Sequence, residues 1–268
     1  MEFRRYDIKS KNRTEWFSLH FISDVHVGSS GHNERAFKER IEEIKADPLA
    51  YWMGVGDYGD HIYYNDPRFS LNDIDETITI GDIRQGIMGQ VRRIADKLGP
   101  IKDKCIGVGT GNHEETITNR YHVDPTRELA FRMDVPYLGY SALIYLAAKG
   151  VKGARIFTHH GYGGGRKSGA QINKVEDAMR IAVADIYAIG HVHVKANSQL
   201  EILGIRENGK PERRQKIFVV TGSYQRAANS GTTSFAEKGM YPQAPMGSPT
   251  VQFRWIGGNH DLDMRVIS

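Results

Sequence analysis

Cysteine is almost missing: Cys105 is the only one in 268 residues, so no internal disulfide can form. It lies in the apolar run Cys105-Ile106-Gly107-Val108, where a buried, inert thiol is expected. Long hydrophobic runs are missing too, and none approaches the ~20 residues that a membrane-spanning helix needs. The opening stretch 1–16 is polar and charged, without an apolar core segment, so the expectation is no secretory signal, no membrane partner and a cytoplasmic location. No proline- or serine-rich linker, charge run or internal repeat divides the chain, which predicts a single domain over 1–268. Charge of one sign is in small excess only. Lys and Arg number 36 against 32 Asp and Glu, a net +4 with eleven histidines uncounted. That balance suits an anionic substrate but does not by itself point to nucleic acid. Nothing in the sequence sets an oligomeric state.

What the sequence does have is an ordinary globular composition, 40% hydrophobic and 25% charged, and one recurring pattern. Short β-branched, apolar runs end in glycine and a carboxylate, amide or imidazole. The fullest instance is Ala184-Asp185-Ile186-Tyr187-Ala188-Ile189, a buried strand that Gly190 ends, followed by His191-Val192-His193. In extended chain, residues two apart point the same way, so the two imidazoles aim at one point beyond the strand. Neutral imidazole is the commonest metal ligand at physiological pH. Phe17-Ser18-Leu19-His20-Phe21-Ile22 leads likewise to Asp24 and His26, a hard oxygen and a borderline nitrogen donor at the same spacing. Tyr51-Trp52-Met53-Gly54-Val55 leads to Asp57 and Asp60. Lys104 to Gly109 leads to Asn112 and His113, and Ala154-Arg155-Ile156-Phe157 to Thr158-His159-His160. Successive side chains alternate, so at most one of the last two rings faces a given site. His159, read as the first residue past the strand, is expected to be the donor, with His160 a neighbour that touches substrate. Functional groups collected after successive strands, with helices between, are the α/β arrangement.

Elsewhere the pattern is plainer. Asn33 is a candidate cap for a helix with Ala36, Phe37, Ile41 and Ile44 on its apolar face. Apolar residues three to five apart from Ile74 to Leu98 predict one or two amphipathic helices. Tyr63, Tyr64 and Arg68 just before them could wall a substrate cleft. The stretch 161–169 is glycine-rich and basic without the order of a phosphate-binding P-loop, and it offers Arg166 or Lys167 to an anionic oxygen. A helix is expected over 172–184, a long loop over 232–249, and a final hairpin turning at Gly257-Gly258-Asn259.

Asp24, His26, Asp57, Asn112, His159, His191 and His193 are too many ligands for one zinc, but they fit two metals sharing a carboxylate. Such a pair is chiefly a device for in-line displacement at phosphorus. In their order, DxH, GDxxD, GNHE, HH-G and GHVH resemble the motifs of the calcineurin-like metallophosphoesterases over about 17–194. The resemblance implies two packed mixed β-sheets flanked by helices, a four-layer α/β/β/α sandwich. It also implies that Asp24, His26, Asp57 and His193 hold one metal and that Asp57, Asn112, His159 and His191 hold the other, with Asp57 bridging. His113 would serve as general acid or stabiliser of the phosphoryl oxygens, oriented by Asp60. Two divalent ions are therefore the expected cofactors, manganese preferred, with iron, zinc, cobalt and nickel also suited. The protein Ser/Thr phosphatases carry arginines where this chain has His61 and Thr110, which weakens a phosphoprotein substrate. The expected activity is a phosphodiesterase on nucleotides or nucleic acid. A phosphomonoesterase stands second and a non-catalytic scaffold on the same fold third.

Overall fold

Strand β2 (Phe17–Ile22) is buried along its whole length because both of its faces are covered. One face meets a second sheet and the other meets helices, as the near-continuous apolar character of such strands requires. The structure is a computed structural model that describes residues 1–8, 14–61, 66, 69–148, 153–164, 167–228, 237, 243–256 and 261–267. The expected turn at 257–259, the wall residues Tyr63, Tyr64 and Arg68, Arg166 and most of the 232–249 loop lie outside the described residues.

Beside β2 run β3 (Ala50–Gly54), β4 (Cys105–Gly109) and β5 (Tyr137–Gly139), all parallel. On its other side lie β11 (Thr250–Ile256) and β12 (Asp261–Ile267), antiparallel, so this sheet is mixed, in the order β12-β11-β2-β3-β4-β5. The second mixed sheet is built from β1 (Glu2–Asp7), β6 (Ser141–Ala147), β7 (Ala154–His159), β8 (Ile186–Ile189), β9 (Lys195–Ile205) and β10 (Pro211–Thr221). Its order is β1-β6-β7-β8-β10-β9. Between the sheets lies a core in which Phe17, Leu19, Phe21, Met53, Phe253 and Trp255 face Ile144, Ile156, Ile186, Ile217 and Val219. Phe17 stacks on Phe253 with centroids 5.4 Å apart.

The outer face of the first sheet carries α1 (Glu34–Ala46), α2 (Ile80–Leu98) and α4 (Pro125–Met133), which bury Phe37, Ile41 and Ile44, Val91, Ile94 and Leu98, and Leu129 and Met133 against Ile22, Trp52 and Cys105. The outer face of the second carries α5 (Ser168–Asp177), whose Val175 packs on Phe157, Tyr187 and Phe218. The four-layer order α/β/β/α follows. Cys105 is buried, and burial pushes its thiol up, so it stays protonated.

Local signals explain the helices. Asn33 caps α1, its side-chain oxygen accepting from Ala36 N–H at 3.2 Å. The 74–98 periodicity resolves into the single helix α2, interrupted at Gly86, whose φ of 58° only glycine takes readily. Ile83, expected on its apolar face, is exposed. The helix expected over 172–184 ends earlier, with α5 closing at Asp177 and a single 3-10 turn following. β1 was invisible to apolar pattern because it is a mostly exposed edge strand, recruited by backbone pairing with β6.

One buried group links this layer to pH. His20, on the helix side of β2, receives Arg40 Nη1–H at 2.8 Å and Thr250 O–H at 3.2 Å on its Nδ1. Burial, then the charges of Arg40 and Lys104, push it down to about 3. Because the folded state binds this proton less readily than the unfolded chain, stability is full above the ordinary histidine range. It is lost as pH falls from ~6.5 towards 3. Between pH 8 and 5 the wild type should lose about 2 kcal/mol more unfolding free energy than His20→Asn, measured by urea denaturation at both pH values. Equal losses would refute the assignment.

Candidate metal centre

The segments that leave β2 and β3 are laced together. Asp24 N–H donates to the Gly56 carbonyl at 3.0 Å, Val25 and His26 N–H to that of Asp57 at 2.8 and 3.1 Å, and Val27 N–H to that of Tyr58 at 2.9 Å. Here the chain is not extended, as the reading of spacing assumed. Asp24, His26, Asp57, His191 and His193 all have φ between 49° and 72°. Each donor is therefore turned into the site by its own left-handed backbone, while Val25 and Val192 between them point into the interior.

Two adjacent groups of donors result. In one, His193 Nε2 lies 3.2 Å from Asp24 Oδ1 and 3.2 Å from His26 Nε2. In the other, Asn112 Oδ1 lies 2.8 Å from His191 Nδ1 and 3.0 Å from His160 Nε2, which is also 3.2 Å from Asp57 Oδ2. Asp57 Oδ2 stands 3.9 Å from His26 Nε2 of the first group, so this carboxylate lies between the two. His191 and His193, expected to aim at one point, divide between the groups. Asn112 and His113 open α3 (Asn112–Tyr121), where His113 N–H donates to Asp57 Oδ1 at 2.9 Å.

The structure corrects the choice between the paired histidines. β7 continues through His159, which pairs with Ser141 and Ile189, so the strand is longer than its apolar run. His159 therefore turns away from Asp57, and its Nδ1 accepts Gly161 N–H at 2.8 Å. His160, buried and just past the strand, faces Asp57 and Asn112, while its Nδ1–H donates to the Val55 carbonyl at 2.7 Å. Asp60 also differs in detail. Its backbone carbonyl takes the Nδ1–H of His113, whereas its carboxylate stands 4.0 Å from that nitrogen and 3.6 Å from His26 Nδ1.

Glu114 is a residue to which sequence reasoning gave no role. Its buried carboxylate accepts N–H from Asp57 at 2.9 Å, Tyr58 at 2.8 Å, Gly59 at 3.4 Å and Gly111 at 3.1 Å, fastening the start of α3 to the loop that presents Asp57. The signal was there, since glycine followed three residues later by glutamate is capping-box spacing. Gly111 itself is required, because a Cβ there would lie 2.1 Å from Asp57 Oδ1. A Cβ at Gly190 would likewise meet Ser23 Oγ at 2.3 Å. His61 is buried, with Nε2 3.7 Å from Glu114 Oε1, and burial lowers it to about 4. Thr110 donates to Tyr137 Oη at 3.2 Å. Neither position presents a cation to the centre.

Electrostatics follow from packing carboxylates among imidazoles. Burial alone would raise Asp57, but His160, His113 and His26 hold it well below the usual carboxylate range. Asp24 is likewise lowered against burial, chiefly by His193. His160 is held up at about 10 against burial by Asp57, so a cation taking that ring nitrogen displaces a proton. His26 and His191 are lowered by burial. His113 is raised against burial by Asp57 and Asp60.

The donor set fits divalent ions. Asp24, His26 and His193 offer ligand atoms within 4.8 Å of one another, as do Asp57, His160 and His191, and also His26, Asp60 and His113. Buried Asp24 Oδ1 and His26 Nδ1 make no well-formed hydrogen bond among the described residues, their facing groups being His193 Nε2 at 3.2 Å and Asp60 Oδ1 at 3.6 Å, an arrangement that a cation would satisfy better. Among these residues no helix is long and apolar enough to cross a membrane.

No family model matches the sequence, and no curated protein does. Among solved structures, the chain is similar to the Haemophilus influenzae NAD nucleotidase (NadN), with a TM-score of 0.41 and 9% identity over 95% of this chain and 50% of that one. It is also similar to Chaetomium thermophilum Vps29, with a TM-score of 0.38 and 12% identity over 94% of each chain. The chain thus spans about half the length of NadN.

Proposed function

We propose that this protein is a divalent-metal-dependent phosphoester hydrolase of the calcineurin-like kind, acting on phosphodiesters of nucleotides or nucleic acid. The observation that carries the reading is the convergence of five strand ends, from both sheets, on two donor groups with Asp57 between them. Asp24, His26, Asp57 and His193 would hold one ion, and Asp57, Asn112, His160 and His191 the other. Manganese is the metal we favour for the test, and this mixed oxygen and nitrogen set also suits iron, zinc, cobalt and nickel. Such ions supply charge neutralisation at phosphorus and a more acidic water.

The rest falls to the chain's own groups. Its Nδ1–H held by the Asp60 carbonyl, His113 keeps Nε2 free to face the reacting ester. Asp57 and Asp60 raise the ring against burial, which favours the protonated form that would pass a proton to the leaving oxygen. The phosphoprotein reading loses support because His61 is an interior residue and Thr110 is bonded to Tyr137.

With manganese, the purified protein should hydrolyse bis-p-nitrophenyl phosphate and at least one of single-stranded DNA or a cyclic nucleotide, and chelation should abolish both activities. Hydrolysis of monoesters alone would replace the diester reading with the phosphomonoesterase one. Normal metal content with no hydrolysis would favour the scaffold. His113→Asn should lower kcat by about 10²- to 10⁴-fold with metal content unchanged, read by steady-state kinetics beside metal analysis.

A further inference from the structure

His159 is left without a place among the donors, yet it stands at the rim of the centre. Its ring lies edge-on between two tyrosines, with centroids 5.2 Å from Tyr140 and 6.4 Å from Tyr162. Tyr140 also meets His160 edge-on at 5.7 Å, so this aromatic row begins at the donor that faces Asp57. Gly161, between the row and the centre, packs so closely on His191 that a Cβ there would lie 3.1 Å from the His191 Cβ. Tyr162, at the far end, is 63% exposed. Among the described residues only His159 and Lys174 come beside this ring, which leaves much of it open to solvent next to the buried donors.

The chemistry of the row is specific. With Nδ1 occupied by Gly161 N–H, neutral His159 carries its proton on Nε2 and offers one donor beside the rings. Lys174 bonds the carbonyls of Tyr162 at 3.3 Å and Gly164 at 3.1 Å and sets its ammonium 5.5 Å from the Tyr162 ring centroid. An aromatic face, a ring N–H donor and a cation therefore stand in sequence beside the centre. A planar base stacks on such a face whatever its identity, and a cation alongside attracts a neighbouring phosphate. A phosphopeptide would instead need guanidinium groups at the centre, and His61 and Thr110 do not provide them.

We propose that Tyr140, His159 and Tyr162 form a stacking wall for the nucleobase attached to the scissile phosphate, with Lys174 beside the flanking phosphate. This rests on the hydrolase reading above and narrows its substrate to nucleotidyl diesters. The test compares thymidine p-nitrophenyl phosphate with methyl p-nitrophenyl phosphate, which share a leaving group and differ in the nucleoside. Tyr162→Ala should reduce the ratio of kcat/KM for the two esters by roughly 5- to 150-fold, the span of one base stacked on one ring. Tyr162→Phe should restore the ratio. In parallel, calorimetry should show the ratio of Kd values for AMP and inorganic phosphate shifting in the same sense in Tyr162→Ala. Ratios that move less than twofold would overturn the wall. A wild type that cleaves neither ester would instead overturn the hydrolase reading, leaving the AMP-to-phosphate ratio to decide the wall by itself.

Discussion

On the two-ion reading, Asp57→Asn should reduce the divalent ions bound per chain from two to at most one. This carboxylate alone stands within reach of both donor groups, 3.2 Å from His160 and 3.9 Å from His26. Asparagine keeps the shape and an oxygen to accept His113 N–H, and it tolerates the left-handed backbone that Asp57 adopts at φ 54°. What it removes is the negative charge. The expected loss in metal affinity therefore exceeds the ~10- to 100-fold that follows removal of a mere supporting partner of a ligand. Activity on a diester should fall on the order of 10³-fold or more, as for a group whose charge matters most in the transition state. Metal analysis after dialysis, together with kinetics, checks both figures. Two ions retained at wild-type affinity would show that Asp57 does not bridge.

Glu114→Leu is expected to cost more stability than any other single change near the centre. The glutamate satisfies N–H groups of Asp57, Tyr58, Gly59 and Gly111, none of which leucine can serve. Burial, then the charge of Asp57, pushes the carboxyl up to about 7, and the converging donors oppose that rise. Removing it strands buried donors whose desolvation is no longer compensated, at ~3–5 kcal/mol. At a few degrees per kcal/mol for a chain of this size, Tm should drop by about 10 °C. Glu114→Gln keeps the volume but turns an amide N–H towards at least one of the same donors, and it should fall between leucine and wild type. Thermal unfolding of the three proteins orders them. A Glu114→Leu protein as stable as wild type would mean that the latch contributes nothing.

How much of this could be read from the sequence depended on which force set each feature. Burial set β2, β3, β4, β7 and β8, whose apolar runs announce them, and the polar groups expected after each run lie at the ends of these strands for that reason. Backbone pairing set β1, whose polar residues conceal it. His159 and His160 were exchanged because β7 runs one step past its apolar residues, a matter of pairing with Ser141 and Ile189 that no side-chain pattern encodes. The i, i+2 argument brought Asp24 and His26 together for the wrong reason and failed to divide His191 from His193. Positive φ at aspartate and histidine leaves no mark in sequence. The spacing of Gly111 and Glu114 marks only one of the four N–H groups that Glu114 serves, and the other three belong to the distant 57–59 loop, where backbone groups look alike in every residue.

Those left-handed donors have a consequence for the molecule as a whole. Outside glycine such a backbone costs roughly 1–2 kcal/mol per residue, somewhat less for aspartate. Asp24, His26, Asp57, His191 and His193 together set several kcal/mol against folding, a sum comparable with the net stability of an ordinary domain. Released from the sandwich, these loops would relax and the donors would scatter. The inter-sheet core of Phe17, Phe253 and Trp255 thus works as a vice, and loosening it anywhere should scatter the donors before it unfolds the chain.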